Sequence, residues 1–249
     1  PGAPPFRLMN AEARAHRLAR LGVERLFELP FDAALAGLAP EAFVDQVLHR
    51  GLGLTQVCVG ADFVFGRDRA GDVAALQALC AARGIAVQVV PLLGGPEGRF
   101  SSTAIRRALT EGRPREAAAM LGHWHRIEGP VLHGDKRGRT LGFPTANMGV
   151  DGLHLPRLGV YAVKVDVLTG PQAGAYHGAA SLGVRPMFGQ NRPNLETFLF
   201  DFAGDLYGQH LSVALVDFLR PEMTFDGLPA LIAQMRDDCA RAREILATA

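Results

Sequence analysis

A change of hydrophobic period near residue 122 constrains this chain more than any other feature. Before it, helical and extended patterns alternate. Asn10 is placed to cap a helix carrying Leu18 and Leu21, and Val23 to Leu29 reads as a short strand closed by Pro30. Pro40 opens a helix with Phe43, Val44, Val47 and Leu48 on one face. Val57-Cys58-Val59 reads as a buried strand ending at Gly60, and Ile85 to Val90 as another. Between them Asp72 caps a helix that turns Leu76, Leu79 and Cys80 inward. Ser101 and Ser102 precede a helix holding Ile105 and Leu109. Helix and strand in alternation imply a parallel sheet covered on both faces.

Beyond residue 122 the pattern shortens. Arg126 to His133, Gly159 to Val167, Tyr176 to Gly183, Leu195 to Phe202 and His210 to Leu219 read as strands separated by Gly, Pro, Asn and Asp. Short strands with turn signals between them suggest an antiparallel barrel or sandwich. After Asp226 a helical pattern takes over, through Leu228, Leu231, Ile232, Met235, Cys239 and Leu246. A helical segment, Arg113 to His123, joins the halves. We therefore expect two domains, 1–121 and 122–249, and 249 residues are enough for two cores.

Charge narrows the function. Lys and Arg number 26 against 25 Asp and Glu, a formal net charge of +1. That balance gives no footprint for nucleic acid or an anionic membrane. No apolar run approaches a membrane span, and the start lacks a charged region followed by an apolar stretch. Cys58, Cys80 and Cys239 are far apart and odd in number, which fits reduced, partly buried thiols of a cytoplasmic protein better than disulfides or zinc.

The most informative stretch runs from His133 to Asn147. Gly134, Gly138 and Gly142 let the backbone turn and approach a ligand, while Lys136, Arg137 and Arg139 can face phosphate oxygens. It is not a Walker A loop, because no Lys-Ser or Lys-Thr pair opens a helix. A basic surface turn is the plain alternative. After Pro144, Thr145 and Asn147 project to one side of an extended segment and Ala146 to the other. Their neutral oxygens suit a magnesium ion shared with nucleotide phosphates, or else satisfy backbone groups in a turn. A second clue is Glu196, which strand periodicity places on one face with Phe198, Phe200 and Phe202. A carboxylate on an aromatic face is desolvated unless paired, a setting that suits a general base; a frayed, solvated strand edge is the alternative.

These residues carry a family resemblance. Gly142-Phe143-Pro144-Thr145-Ala146-Asn147, the strand with Glu196, Gly183 to Gly189 and Asp205-Leu206-Tyr207-Gly208 resemble the riboflavin kinase module over nearly all of 122–249. The resemblance implies a six-stranded antiparallel barrel with a trailing helix. It also implies that Thr145 and Asn147 hold Mg2+ and ATP, that Gly134, Lys136, Gly138, Arg139 and Gly142 bind phosphate, and that Glu196 activates the flavin hydroxyl. Ser181 stands where the family usually has Asn, and Met187 where Thr is common.

The first half resembles the FMN adenylyltransferase module, which in bacteria precedes riboflavin kinase in a bifunctional FAD synthetase. The matching residues are Gly60, Asp62, Phe63 and Gly66, then Arg67, Arg69 and Gly71, then Ser101-Ser102-Thr103 and Arg106. An α/β nucleotidyltransferase-like fold of Rossmann type is implied, with Gly60, Asp62, Phe63, Ser101, Ser102, Thr103 and Arg106 on the nucleotide. Physically, a Ser-Ser-Thr run at a helix N-terminus offers amides and hydroxyls to a triphosphate, or is an ordinary cap. The family's opening strand and Gly-x-Phe-Asp-Gly-x-His-x-Gly-His motif have no counterpart after Pro1, so little adenylylation is expected of this chain. The expected substrates and products are riboflavin, ATP, FMN and FAD. Rival readings are a non-catalytic flavin-binding or regulatory barrel and a nucleic-acid binder. Thr145, Asn147 and Glu196 together count against the first, and near-neutral charge counts against the second.

Overall fold

The computed structural model describes residues 5–95, 98–133, 142–187 and 190–249, with backbone alone at 185–187 and 190–191. The chain forms two compact units, one of residues 25–100 and one of residues 1–24 with 101–249. It begins with α1 (Ala11–Arg20), whose cap is the expected Asn10: its side chain accepts from Ala13 N at 2.9 Å. α1 lies on the barrel of its own unit, where Asn10 Nδ2 donates to the Glu128 carbonyl at 2.7 Å.

In the 25–100 unit, α2 (Ala33–Ala36) is capped by Asp32. α3 (Pro40–Ala42) starts at proline as expected and continues as a π-helix, Phe43–Gly51, with Leu52 N bonded to the Val47 carbonyl at 2.9 Å. β1 (Gln56–Gly60), α4 (Val73–Ala81) and β2 (Ala86–Val90) form a right-sized crossover unit, the strands parallel from Gln56↔Ala86 to Gly60↔Val90. Val44, Leu48, Phe65, Leu76, Cys80 and Ile85 make its core. Two short strands, β3 (Gly94–Gly95) and β4 (Gly98–Arg99), pair antiparallel.

Two expectations fail here. Val23 to Leu29 is irregular rather than a strand, with Leu26, Phe27 and Leu29 exposed. An apolar run becomes a strand only where a neighbour completes its ladder, and no described strand pairs with this one. β1 is half-buried rather than buried: Val57 and Val59 pack on the core while Gln56 and Cys58 are exposed, in a sheet with two described strands. The three thiols are free.

The larger unit resumes with α5 (Ser102–Thr110) and α6 (Pro114–Leu121), packed through Ile105, Ala108, Leu109 and Ala117. Then come β5 (Arg126–Pro130), β6 (Ala146–Gly149), β7 (Gly159–Val167), β8 (Gly174–Met187), β9 (Gln190–Leu199), β10 (His210–Arg220) and α7 (Leu228–Leu246). The strand order β5-β10-β7-β8-β9-β6 is antiparallel throughout. Leu132 N bonds the Asn147 carbonyl at 2.8 Å, which brings the chain after β5 beside β6 and nearly closes the barrel.

Alternation sorts each strand. Tyr161, Val163, Val165 and Val167 of β7 turn inward with Leu195 and Leu199 of β9 and Leu211, Val213 and Leu215 of β10. Val160, Ala162, Ala179, Phe200 and Val216 turn outward, under Ala242 and Leu246 of α7. Register shifts after Leu215 and Phe218 swap the parity of β10, so that Phe218 packs on the inner core and Leu219 on the outer one. Phe202 lies beyond the end of β9 and packs on the inner core against Tyr176, so it does not share the face of Glu196 as periodicity suggested.

Candidate active site

The ladder brings Asn147 and Glu196 together. In the β6–β9 register Asn147 stands opposite Glu196, and in the β8–β9 register Ser181 stands opposite Glu196 from the other side. One rung across three strands thus carries Ser181, Glu196 and Asn147 on the outer face of the barrel, since Ala146 and Met148 fill the inside. Glu196 is half-buried, with Phe198 next along its face and Phe143 edge-on to Phe198 at 5.2 Å between centroids. Phe198 and Phe200 lie on the outer face that carries Glu196, as expected.

Asn194 is an addition that sequence reasoning did not single out. It is 2% exposed, and its Nδ2 donates to Asn147 Oδ1 and to Glu196 Oε1, each at 3.3 Å. Asn147 Nδ2 in turn donates to the Thr145 carbonyl at 3.4 Å. The signal was present in the period: Asn194 and Glu196 are two apart and share a face. Glu222 had no such signal. It follows β10 in sequence, and a Cβ on Gly183 would collide with Glu222 Oε1, so glycine is what leaves room for that carboxylate beside the same face.

The remaining kinase residues divide. Gly142 is exposed, with a left-handed backbone at φ 82°, and Thr145 is half-buried just before β6. Gly134, Lys136, Gly138 and Arg139 lie outside the described residues. The Asp205 to Gly208 segment docks at this edge of the barrel: Gly208 N bonds the Val131 carbonyl at 3.0 Å, and the Tyr207 ring packs on His133 at 4.1 Å. Chemically, the rung offers hard, neutral oxygen from Asn147 and a carboxylate directly across from it. Such a donor set fits a small divalent cation that keeps phosphate and water among its ligands.

In the 25–100 unit, Gly60 ends β1, and Phe63 N turns back to the Gly60 carbonyl at 3.0 Å. This turn sits at the carboxyl end of a parallel strand, where open α/β sheets bind ligands. Phe63 stacks on Phe65 at 5.6 Å between centroids. The Arg99 guanidinium pairs with Asp62 and holds its carboxyl below the usual carboxylate range. In the other unit, the Ser101 side chain accepts from Ala104 N at 3.1 Å, which makes it the cap of α5, and Ser102 and Thr103 are exposed beside it. Arg106 Nε donates to the Phe6 carbonyl at 2.7 Å.

Comparison with known proteins agrees with both halves. The riboflavin kinase family profile matches residues 121–246, and the FAD synthetase profile matches residues 1–104. The bifunctional riboflavin kinase/FMN adenylyltransferase of Pseudomonas fluorescens is 39% identical over 248 residues, covering 99% of this chain and 78% of that protein. The chain belongs to the bifunctional riboflavin kinase/FMN adenylyltransferase family. Its counterpart in Listeria monocytogenes is 37% identical over 233 residues, 93% of this chain and 72% of that protein. A solved structure described as a macrolide-efflux protein from Streptococcus pneumoniae superposes with a TM-score of 0.81 at 32% identity, covering 98% of this chain and 78% of that one. In this family member no described helix is long and apolar enough to cross a membrane.

Proposed function

We propose that the barrel transfers the γ-phosphoryl group of ATP to the ribityl hydroxyl of riboflavin, giving FMN, and that the N-terminal module, residues 1–121 by our division, serves the adenylylation of FMN to FAD. The observation that carries the first half is the cross-strand pair of Asn147 and Glu196. Phosphoryl transfer needs alignment and charge neutralisation more than covalent help, and this pair divides the two tasks. Thr145 and Asn147 would hold Mg2+ through neutral oxygens, and the ion when bound neutralises charge on the β- and γ-phosphates. Lys136 and Arg139, with Gly134, Gly138 and Gly142, are the sequence's candidates for the phosphate oxygens. Glu196 Oε1 receives an N–H from Asn194, which fixes its direction. Its role is to orient the hydroxyl and take its proton as the new O–P bond forms.

Gly60, Asp62 and Phe63 and, separately, Ser101, Ser102, Thr103 and Arg106 are our candidates for nucleotide binding in adenylylation. Free thiols support a reducing, cytoplasmic setting. The efflux name attached to the Streptococcus structure finds no support in the Asn147–Glu196 rung, which is suited to phosphoryl transfer.

The test is Glu196→Gln, which keeps shape and removes proton-accepting power. FMN formation from riboflavin and MgATP, followed by chromatography, should fall by at least about a hundred-fold, with ATP affinity and thermal stability nearly unchanged. Near-normal turnover would rule Glu196 out as the base.

A further inference from the structure

We infer that Asn194 is a positioning residue: its one carboxamide fixes which atom Asn147 presents to a cation and where the Glu196 carboxylate points. This rests on the kinase reading of the rung. An asparagine is a cation ligand only through oxygen, and its amide can turn over by rotation about its last bond unless the neighbours tell O from N. Here they do. Asn147 Oδ1 faces a donor, Asn194 Nδ2 at 3.3 Å, and Asn147 Nδ2 faces an acceptor, the Thr145 carbonyl at 3.4 Å. The turned amide would set NH2 against NH2 and oxygen against oxygen. Asn194 has spent one lone pair of Oδ1, and the second remains for a ligand.

The same nitrogen carries a second hydrogen, and it goes to Glu196 Oε1 at 3.3 Å. The two hydrogens of a carboxamide are locked in one plane, so the Asn147 oxygen and the Glu196 carboxylate are held at a fixed divergence from one rigid group. These contacts are long, and their weight comes from burial rather than from shortness. Asn194 is 2% exposed and Asn147 9%, so water has little access to replace either partner. The ladder also makes room for this arrangement. The cross-strand neighbours of Asn194 are both glycines, Gly149 on β6 and Gly183 on β8, so neither rung partner puts a side chain of its own against the carboxamide.

The experiment compares Asn194→Leu, close in shape but without donors, with the wild-type chain. Calorimetric titration of ATP with and without MgCl2 reads the Mg-dependent part of nucleotide affinity, which should fall about tenfold, the scale of losing a group that orients a metal ligand. In kinetics, kcat for FMN formation should fall about tenfold to a hundred-fold while KM for riboflavin stays within about twofold, as for a group that acts through others. A purely structural residue would lower the melting temperature and leave the Mg dependence alone, and that result overturns the inference. If the leucine variant does not fold, Asn194→Ser and Asn194→Ala decide, since they leave similar space and differ in one hydroxyl donor. Stronger Mg-dependent ATP binding by the serine variant supports the inference, and equality overturns it. Asn147→Ala and Glu196→Gln run alongside. If those two behave as wild type, the kinase reading of the rung has failed; if they lose function and the Asn194 variants do not, the failure is confined to Asn194.

Discussion

At the scale of residues, the barrel holds polar groups for two different reasons. Asn194 bonds both Asn147 and Glu196 on the outer face. Thr197, one residue along, is fully buried between Ala146 and Ala180, and its hydroxyl has no partner among the described residues. A buried hydroxyl without a hydrogen bond costs roughly 1–3 kcal/mol. Thr197→Val keeps the branched shape and the strand preference, so it should raise stability by about 1 kcal/mol, read as a higher urea midpoint at unchanged slope. A lower midpoint would show that the hydroxyl is satisfied. The residues we propose for the chemistry stood out in the chain through the Pro-Thr-Ala-Asn run and the alternation around Glu196. Their being neighbours did not, because register pairs residues 49 positions apart and no local pattern encodes it.

At the scale of elements, caps and periods located most helices and strands, since both are short-range effects: a side chain bonding an amide three residues on, or an apolar residue every second or fourth place. What fastens one element to another escaped that reading. α7 is tied to β10 by Asp238, whose carboxylate takes Arg220 Nε at 3.0 Å and Nη2 at 2.8 Å and also receives Gln234 at 3.0 Å. Asp238 is buried, and its place in a helical pattern gave no sign of it. Breaking a buried pair strands the surviving charge. Asp238→Ala should therefore cost about 3 kcal/mol, while Asp238→Leu combined with Arg220→Met should recover most of that loss. Equal losses in the single and double variants, measured by chemical denaturation, would mean that the helix is held by its apolar face alone. The Val23–Leu29 run teaches the converse lesson: a strand-like pattern without a described partner strand stays irregular.

At the scale of the whole molecule, acid stability should follow a histidine that plays no part in the rung. His125 is 2% exposed at the start of the barrel, and burial, with smaller repulsion from His154 and His123, pulls its pKa from 6.5 down to about 4. The unfolded chain therefore takes up a proton near pH 6.5 that the folded chain refuses until about pH 4. Stability from this source is full above the higher value and drains away as pH falls through the interval, by about 3 kcal/mol in all. Denaturation at a series of pH values should show that slope, and His125→Phe should flatten it. An unchanged slope in the variant would assign the acid sensitivity to other groups.

The sequence by itself determined the change from alternating helix and strand to antiparallel strands, most of the elements on either side of it, and the residue types we propose for phosphoryl transfer. Those depend on composition, on period and on motifs within a few residues. Tertiary structure decided which face each side chain occupies after a bulge, that α1 rests on the barrel, and that Asn194 stands between Asn147 and Glu196. These are set by long-range register and by the closing of the barrel, where the energy of a contact depends on residues a hundred positions away.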